Sequence, residues 1–351
     1  MKEQKKSEKS NWPLVGNRHI IDFLSKSIAN KKVSQAYIFL GPDNLGKTTV
    51  ANYFAKTLLC HRVEAAIACG QCDSCRQFGQ ADREDEKNLS ANKHRDFYLI
   101  KREPDKKNIS IEQVREFIRG LSLSSFLNSY KIGVIKNAES LSQEAANALL
   151  KTLEEPKEKV VVILIAADLD AIPLTIASRS QILNFYPVKT DIIYDFLIDK
   201  HGSSRSEAKN LSRLALGRPA LAVKFLKDKE FKKNYISRAQ IFLDFFSQDI
   251  NERLAKINEI MGAGKDGQES VRTALKAVEC WRGLGRDLLL SYFGNDDLTQ
   301  YEIFRQNFSL LKDKIQPARI LKIIEILKEA QEQITANVNP KLALENVAVN
   351  V

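Results

Sequence analysis

The spacing of apolar residues changes near the middle of the chain. In the first half, short apolar segments alternate with amphipathic ones. The segments that predict strands are residues 37–40, Phe97–Lys101, Lys131–Lys136 and Val160–Ala166. The last of these is apolar on both faces, which is typical of a strand buried inside a parallel sheet. Strands that alternate with helices along the chain predict a parallel α/β domain.

Two helices of this first half carry start signals. Ser110, with Gln113 three residues later, predicts a capping box at the head of an amphipathic helix. Ser140 and Gln143 have the same spacing and predict a second capped helix. Pro156 would end that helix, because proline cannot continue one.

Beyond Pro187 only helical periodicity remains. The predicted interruptions contain glycine, proline or asparagine and fall at residues 201–202, 217–219, 262–267 and 295–297. A late apolar stripe at helical spacing predicts a buried helix face, formed by Ile320, Ile323, Ile324 and Leu327. The expected fold class is therefore α/β followed by all-α.

These patterns divide the chain into four predicted segments. Residues 1–11 are rich in lysine, glutamate and serine and are predicted to be a disordered basic tail. Residues 12–187 form the predicted α/β domain. Residues 188–228 are expected to form a small helical domain, and residues 229–351 a helical C-terminal domain.

Composition narrows the function classes. The 351 residues carry a formal net charge of +10 and have a pI near 9.2. A basic excess favours contact with nucleic-acid phosphates, although a basic protein without that function has the same composition. The longest apolar run, residues 160–167, is too short to span a bilayer, and residues 1–10 lack the apolar core of a signal peptide. The cytoplasm is the expected location.

A phosphate-binding loop is predicted between the first strand and the helix Lys47–Leu59. Residues 41–48 match the pattern G-x-x-x-x-G-K-S/T. Its glycines let backbone N–H groups turn toward phosphate oxygens, helped by the positive end of the following helix. Lys47 would reach the terminal phosphates of ATP, and Thr48 would ligate Mg²⁺. The candidate nucleotide contacts in this loop are Gly41, Gly46, Lys47, Thr48 and Thr49.

Four cysteines have the spacing of a metal site. They are Cys60, Cys69, Cys72 and Cys75, in the pattern C-x8-C-x2-C-x2-C. Two-residue gaps let thiolates converge on one tetrahedral Zn²⁺, and four protein ligands would make the site structural. A redox pair or free thiols are the alternatives, and His61 or His94 could replace one cysteine. Cys280 lies alone in a helical stretch and is interpreted as a packed residue.

Several segments together resemble the bacterial clamp-loader AAA+ family, and its gamma/tau and delta-prime subunits in particular. The matching segments are residues 12–17, the phosphate loop with its four-cysteine insertion, residues 145–156, residues 178–180, residues 217–219 and residues 337–345. The most specific is residues 145–156, which read Ala-Ala-Asn-Ala-Leu-Leu-Lys-Thr-Leu-Glu-Glu-Pro. Residues 178–180 read Ser-Arg-Ser where the family has Ser-Arg-Cys. The resemblance covers about residues 12–347.

The resemblance implies an architecture and a role in DNA replication. It implies an AAA+ nucleotide domain with a zinc module at residues 60–75, then a helical lid, then a collar that holds five subunits in a ring. The expected partners are gamma/tau and delta subunits and, through the complex, a sliding clamp and primer–template DNA. Such a complex places the clamp on primed DNA within the DNA polymerase III holoenzyme.

The residues after the third strand distinguish the subunits. An active loader ATPase has Asp-Glu there, the Asp for magnesium and the Glu for the attacking water. This chain has Lys136 and Asn137, and Glu139 lies two residues too far along. At about 4 Å and an effective dielectric constant near 20, a like charge costs on the order of 4 kcal/mol. Losing the base costs about 10² to 10⁴ in rate. We therefore predict a delta-prime-type subunit without ATPase activity of its own.

Two arginines complete the predicted site. Arg179, in the Ser-Arg-Ser segment, would act in trans as an arginine finger on the ATP of a neighbouring subunit. A surface arginine or an intrachain ion pair is the alternative. Arg218 lies where the family has its sensor-2 segment, and it would contact nucleotide in cis or only pair locally.

Two other functions stay open. A gamma/tau motor subunit would share the phosphate loop, the zinc module and Arg179, but it needs the missing carboxylates, and tau is expected to be much longer. A DNA-binding zinc protein with a vestigial phosphate loop would depend on charge and cysteines alone. ATPase activity of the isolated chain would favour the motor subunit. Weak specific DNA binding without ring assembly would favour the zinc protein.

Overall fold

The structure is a computed structural model that describes residues 12–81, 94–103, 106–125, 130–155, 157–262 and 267–351. It divides into two units, one ending at Val188 and the other covering Lys189–Val351. The predicted tail at residues 1–11, the helix stop at Pro156 and residues 263–266 of one predicted interruption lie outside the described residues. The further division of the second half at residue 228 stays a prediction.

The first unit alternates strands and helices, as the apolar pattern predicted. Its elements are α1 (Arg18–Ala29), β1 (Ala36–Leu40), α2 (Lys47–Leu59), β2 (Val63–Glu64), β3 (Ile67–Ala68), α3 (Asp73–Ala81), β4 (Phe97–Lys101), α4 (Ile111–Ser122), β5 (Lys131–Lys136), α5 (Gln143–Glu154), β6 (Val160–Ala166), α6 (Leu174–Ala177) and β7 (Gln181–Asn184). A single 3₁₀ turn, Ala138–Ser140, precedes α5.

Five parallel strands form the central sheet, in the order β4-β5-β6-β1-β7. Alternate residues of β1 belong to different apolar clusters, because successive side chains point to opposite faces of a sheet. Helices α1, α2 and α3 contribute to the cluster that contains Phe39, and α4, α5 and α6 contribute to the cluster that contains Ile38. The predicted parallel α/β class is confirmed.

This topology gathers the loops that matter at one edge of the sheet. The carboxyl ends of parallel strands lie on the same side, and ligands of open α/β sheets bind there. The phosphate loop follows β1, and Lys136 and Asn137 stand at the end of β5. Phe185 follows β7.

The two predicted helix caps have different outcomes. Ser110 forms the predicted capping box with Gln113 at the start of α4. The prediction that Ser140 caps α5 is wrong, because Ser142 is the N-cap and its Oγ accepts from the N–H of Ala145 at 3.1 Å. Ser140 belongs to the preceding 3₁₀ turn, and its carbonyl accepts from the N–H of Ile109 at 2.6 Å.

The second unit is helical throughout its described residues. Its helices are α7 (Thr190–His201), α8 (Arg205–Leu214), α9 (Pro219–Lys227), α10 (Lys229–Asp244), α11 (Ile250–Met261), α12 (Gly267–Tyr292), α13 (Arg305–Lys312), α14 (Pro317–Thr335) and α15 (Pro340–Asn350). Gly202 has φ 64° at the end of α7, and Pro219 is the first residue of α9, as the predicted interruptions require. Asp228 ends α9 and caps α10, so no linker separates these helices.

A large aromatic residue anchors the core of this unit. Trp281 is fully buried, stacks on Phe242 at a centroid distance of 5.6 Å and donates to the carbonyl of Arg238. Cys280 is buried beside it, and its Sγ lies 3.3 Å from the hydroxyl of Tyr301, which agrees with its interpretation as a packed residue. Within the described residues, no helix combines the length and the apolar character that a membrane crossing requires.

Candidate nucleotide site and cysteine cluster

The phosphate loop has a backbone that only glycine adopts readily at two positions. Gly41 has φ 137° and Gly46 has φ 93°. A Cβ atom on Gly41 would lie 2.4 Å from the carbonyl oxygen of Phe185, closer than any real contact of that kind. A Cβ on Gly46 would lie 3.0 Å from Leu14. The loop is therefore wedged between the chain that leaves β7 and the segment before α1.

Lys47 points into its own loop. Its Nζ donates to the carbonyl of Pro42 at 2.9 Å and to the carbonyl of Gly41, and lies 3.8 Å from a carboxylate oxygen of Asp43. The side chain is only 5% exposed. Burial lowers the pKa of Lys47, whereas the charges of Asp43 and Glu139 raise it. The loop's own carbonyls and carboxylate thus bind the ammonium group that the motif assigns to phosphate.

The other predicted contacts of the loop stand on the first turn of α2. Thr48 is half-buried and Thr49 is exposed, and both follow Lys47 at the positive end of this helix. The structure therefore brings all five candidate loop residues to one edge of the sheet.

The segment at residues 12–17 lies beside the loop. The side-chain amide of Asn17 donates to the carbonyl of Tyr186 at 2.9 Å and accepts from its N–H at 2.8 Å. Trp12 is buried against α2, with its ring 4.9 Å from that of Tyr53. The segment is therefore held by α2 and by the chain that follows β7, two parts of the molecule far apart in sequence.

The end of β5 carries a cation and an amide where an ATPase has carboxylates. Lys136 is half-buried, opposite Ile165 of β6. Asn137 is exposed and has φ 57°, a left-handed conformation that asparagine tolerates better than most residues. The turn that follows buries one carboxylate oxygen of Glu139, which has no hydrogen-bond partner among the described residues. Sequence reasoning missed that this carboxylate lies near enough to Lys47 to influence its pKa.

Arg179 lies on the turn after α6 and binds within its own chain. Its Nη2 lies 2.9 Å from a carboxylate oxygen of Glu154, and its Nη1 donates to the carbonyl of Thr175 at 3.0 Å. The hydroxyl of Ser180 donates to the carbonyl of Ile176 at 2.8 Å, so the second serine of Ser-Arg-Ser stabilises the turn. The intrachain ion pair that the sequence left open as an alternative is present.

Arg218 also pairs locally. As the N-cap residue of α9, it donates from Nη1 to Glu279 of α12 at 2.6 Å and from Nε to the carbonyl of Ala215 at 3.3 Å. Both interactions lie inside the second unit. The local pairing that the sequence left open for Arg218 is present, and a contact with nucleotide stays a prediction.

The four cysteines converge. The Sγ atoms of Cys60, Cys69, Cys72 and Cys75 all lie within 4.8 Å of one another. Cys60 ends α2, the β2–β3 hairpin leads to Cys69, and Cys75 lies in the first turn of α3. Gly70 turns the chain with φ 73°. This cluster could hold a metal ion.

The thiols of the cluster have unequal environments. Backbone N–H groups of Gln71 and Cys72 lower the pKa of Cys69 to about 6. Burial raises the pKa of Cys60 and that of Cys75. Four sulfur atoms this close together match the ligand set of a tetrahedral metal site, in which the bound cation would stabilise the thiolate form.

His94 binds elsewhere than the cluster. Its Nδ1 accepts from the N–H of Asp96 at 3.1 Å, so the neutral ring carries its proton on Nε2, which lies 3.0 Å from the hydroxyl of Ser74. Burial lowers the pKa of His94. Both ring nitrogens are therefore occupied by other groups, and His61 is exposed. Neither histidine belongs to the group of four ligand atoms.

The family model described as "DNA polymerase III, delta subunit" matches residues 16–189, the part of the chain that carries the sheet, the loop and the cysteine cluster. Curated relatives named as delta-prime and as tau or gamma subunits match the chain as well. The chain belongs to the bacterial clamp-loader AAA+ family.

Relatives of this clamp-loader chain include two subunit types. The tau subunit of Bacillus subtilis is 26% identical over 96% of this chain and 60% of its own length. The delta-prime subunit of Pseudomonas aeruginosa is 35% identical over 42% of this chain and 41% of its own. The delta-prime subunit of Haemophilus influenzae is 29% identical over 59% of this chain and 60% of its own. The chain thus spans less than two thirds of each of these relatives.

Among solved structures, a gamma-subunit-related protein of Thermotoga maritima matches 94% of this clamp-loader chain and 97% of its own, with a TM-score of 0.48 and 17% identity.

Proposed function

We propose that this chain is a delta-prime-type clamp-loader subunit that does not hydrolyse ATP. It assembles with gamma/tau and delta subunits into a five-membered ring in the cytoplasm. It contributes an arginine to the ATP site of a neighbouring subunit. Through the complex, it takes part in loading a sliding clamp onto primed DNA.

The end of β5 carries this proposal. Lys136 and Asn137 stand on the edge of the sheet where the phosphate loop opens. A cation there opposes binding of Mg²⁺, and an amide cannot accept a proton from water. The loop nevertheless keeps the backbone of a phosphate-binding loop, because Gly41 and Gly46 have positive φ angles and the positive end of α2 follows them. ATP would supply a triphosphate to the loop, and Lys47 would have to leave the carbonyls of Gly41 and Pro42 to reach it.

Surface features beside Arg179 support its action on a neighbour. Arg179 is 39% exposed, and Leu174, five residues earlier, is 84% exposed. Leu174 is the most exposed of the large apolar side chains in the described residues. An apolar side chain in water beside an exposed cation is typical of a surface that another protein covers.

The cysteine cluster is proposed to be a structural Zn²⁺ site. Four thiolates would satisfy a tetrahedral ion and leave no position for water or substrate. Cys60 is the C-cap of α2, the helix that starts at Lys47, and Phe78 of α3 packs into the apolar cluster that contains Phe39. The metal would therefore tie the module to the helix that carries the phosphate loop.

Assembly and ATP hydrolysis test the function together. The purified chain alone should show no ATPase activity, and with its cognate gamma/tau and delta subunits it should elute by size exclusion as a five-subunit complex. Steady ATP hydrolysis by the chain alone would contradict the proposal. So would a failure to enter the complex.

The gamma/tau motor subunit is the second candidate. The tau relative from Bacillus subtilis matches nearly the whole chain, and Glu139 places a buried carboxylate near Lys47. If Glu139 acts as the base, Glu139→Gln should abolish an ATPase activity that the wild-type chain shows by itself. A wild-type chain without such activity excludes this function.

A further inference from the structure

The guanidinium of Arg179 is held from two sides. Nη2 lies 2.9 Å from Glu154, and Nη1 donates to the carbonyl of Thr175 at 3.0 Å and lies 3.4 Å from the hydroxyl of Ser178. Helix α5, which ends at Glu154, packs against α6, which precedes Arg179. The backbone contact belongs to the arginine's own turn. The carboxylate comes from a different helix.

Glu154 lies where a helix tolerates a carboxylate least. It is the last residue of α5, and Glu155 is the C-cap. The C-terminal end of a helix carries partial negative charge, so two carboxylates there destabilise the helix. Arg179 offsets this cost for Glu154. Glu155 forms no ion pair with any of the described residues.

We propose that Glu154 is a positioning residue that holds Arg179 in cis until a neighbouring nucleotide replaces it, an inference that rests on the proposed trans role of Arg179. The carboxylate carries one negative charge, whereas the terminal phosphates of ATP carry more and accept the same forked donor. Both side chains of the pair are partly exposed, 39% for the arginine and 48% for the glutamate. Such a pair is weak enough for phosphate to displace.

A chemical probe tests the pair in the isolated chain, independently of any loader activity. Phenylglyoxal modifies accessible guanidinium groups, and peptide mass spectrometry reports the rate at Arg179. We expect Glu154→Gln to raise that rate about two- to five-fold, the range that an exposed ion pair allows. Glu155→Gln is the matched control, because it removes the same charge from the same helix end, and we expect the wild-type rate. Equal rates for the two variants would overturn the inference.

The assembled loader tests the consequence. With the chain reconstituted beside its gamma/tau and delta partners, Glu154→Gln should lower the half-saturating ATP concentration about two- to five-fold, with little change in the maximal rate. Glu155→Gln should behave as wild type. The effect should vanish in the double variant Glu154→Gln/Arg179→Ala, which should match Arg179→Ala alone.

The outcomes separate the inference from the proposed function. If Arg179→Ala leaves loader ATPase unchanged, the trans role is wrong, and the phenylglyoxal result still decides whether Glu154 restrains Arg179. If Arg179→Ala lowers ATPase and Glu154→Gln equals Glu155→Gln in both assays, the trans role stands and the positioning role of Glu154 is wrong. An effect of Glu154→Gln on the half-saturating ATP concentration that persists in the Arg179→Ala background would also overturn the positioning role, because Glu154 would then act by a route that does not involve Arg179.

Discussion

The phosphate loop and the turn of Arg179 each carry a cation suited to phosphate, and they hold it in opposite ways. Lys47 is 5% exposed and is bound by carbonyls of its own loop. Arg179 is 39% exposed and is paired with a carboxylate that is itself half in water. The first cation must break buried hydrogen bonds before it can bind a ligand. The second would only have to leave a weakly held surface partner.

This difference supports the proposal that the subunit retains an ATPase fold and acts mainly on its neighbour. A buried ammonium whose partners are fixed backbone atoms is costly to move, since the carbonyls it leaves lose their donor. An exposed guanidinium paired with a carboxylate is ready to move. Lys136, the last residue of β5, would act in the same direction, because its positive charge would disfavour a metal ion beside the loop.

The largest expected effect comes from removing the exposed cation. Arg179→Ala in the assembled loader should slow hydrolysis at the neighbouring site by about 10³-fold or more, because a trans arginine stabilises charge that develops on the transferred phosphoryl group. Single-turnover measurement of ATP cleavage would report it. Arg179→Lys keeps the charge but not the forked geometry and should recover only part of the rate. Wild-type rates in the alanine variant would remove the trans role.

Loss of the metal should destabilise the cysteine cluster and α2, the helix that follows the phosphate loop, and leave the turn that carries Arg179 intact. We expect about one Zn²⁺ per chain by metal analysis, none in Cys72→Ser, and a free energy of unfolding lower by several kcal/mol in that variant. The rate of phenylglyoxal modification at Arg179 should not change. Cys280→Ala serves as the control and should keep one Zn²⁺, because Cys280 lies outside the cluster. A folded wild-type chain without zinc would contradict the proposed site.

A smaller effect is expected from crowding the loop. Gly41→Ala places a methyl group against the carbonyl of Phe185 and should lower the free energy of unfolding by about 1 to 3 kcal/mol. Gly202→Ala is the control, because Gly202 also has positive φ but nothing lies within 4 Å of its added Cβ. Thermal denaturation of both variants measures the difference. Equal destabilisation would mean that the loop is not wedged against the chain after β7.

The smallest effect is expected from the buried cation itself. Lys47→Ala should barely alter loader activity if the local site is unused, since the lysine already binds its own loop. Clamp-loading rates of reconstituted complexes with the wild-type chain and the variant provide the measurement. A large defect would show that nucleotide in this loop matters to the complex, and the contrast with Arg179 would then disappear.

Local sequence patterns determined the architecture and the composition of the sites. The parallel sheet follows from apolar strands that alternate with helices, and the capping box at Ser110 from two residues at fixed spacing. The phosphate loop and the cysteine cluster are each built from residues close together in the chain. Short-range rules are reliable there, because backbone geometry alone brings such residues together.

Only the tertiary structure decided which partner each charged group has. The pairing of Arg179 with Glu154 depends on how α5 packs against α6. The inward orientation of Lys47 depends on the carbonyls of its own loop, and that loop packs against the chain that follows β7. A left-handed Asn137 starts the turn that buries a carboxylate oxygen of Glu139, and a contact with Ile109 places Ser140 in that turn and leaves the cap of α5 to Ser142. These outcomes depend on distances between residues far apart in the chain, and no local pattern encodes such distances.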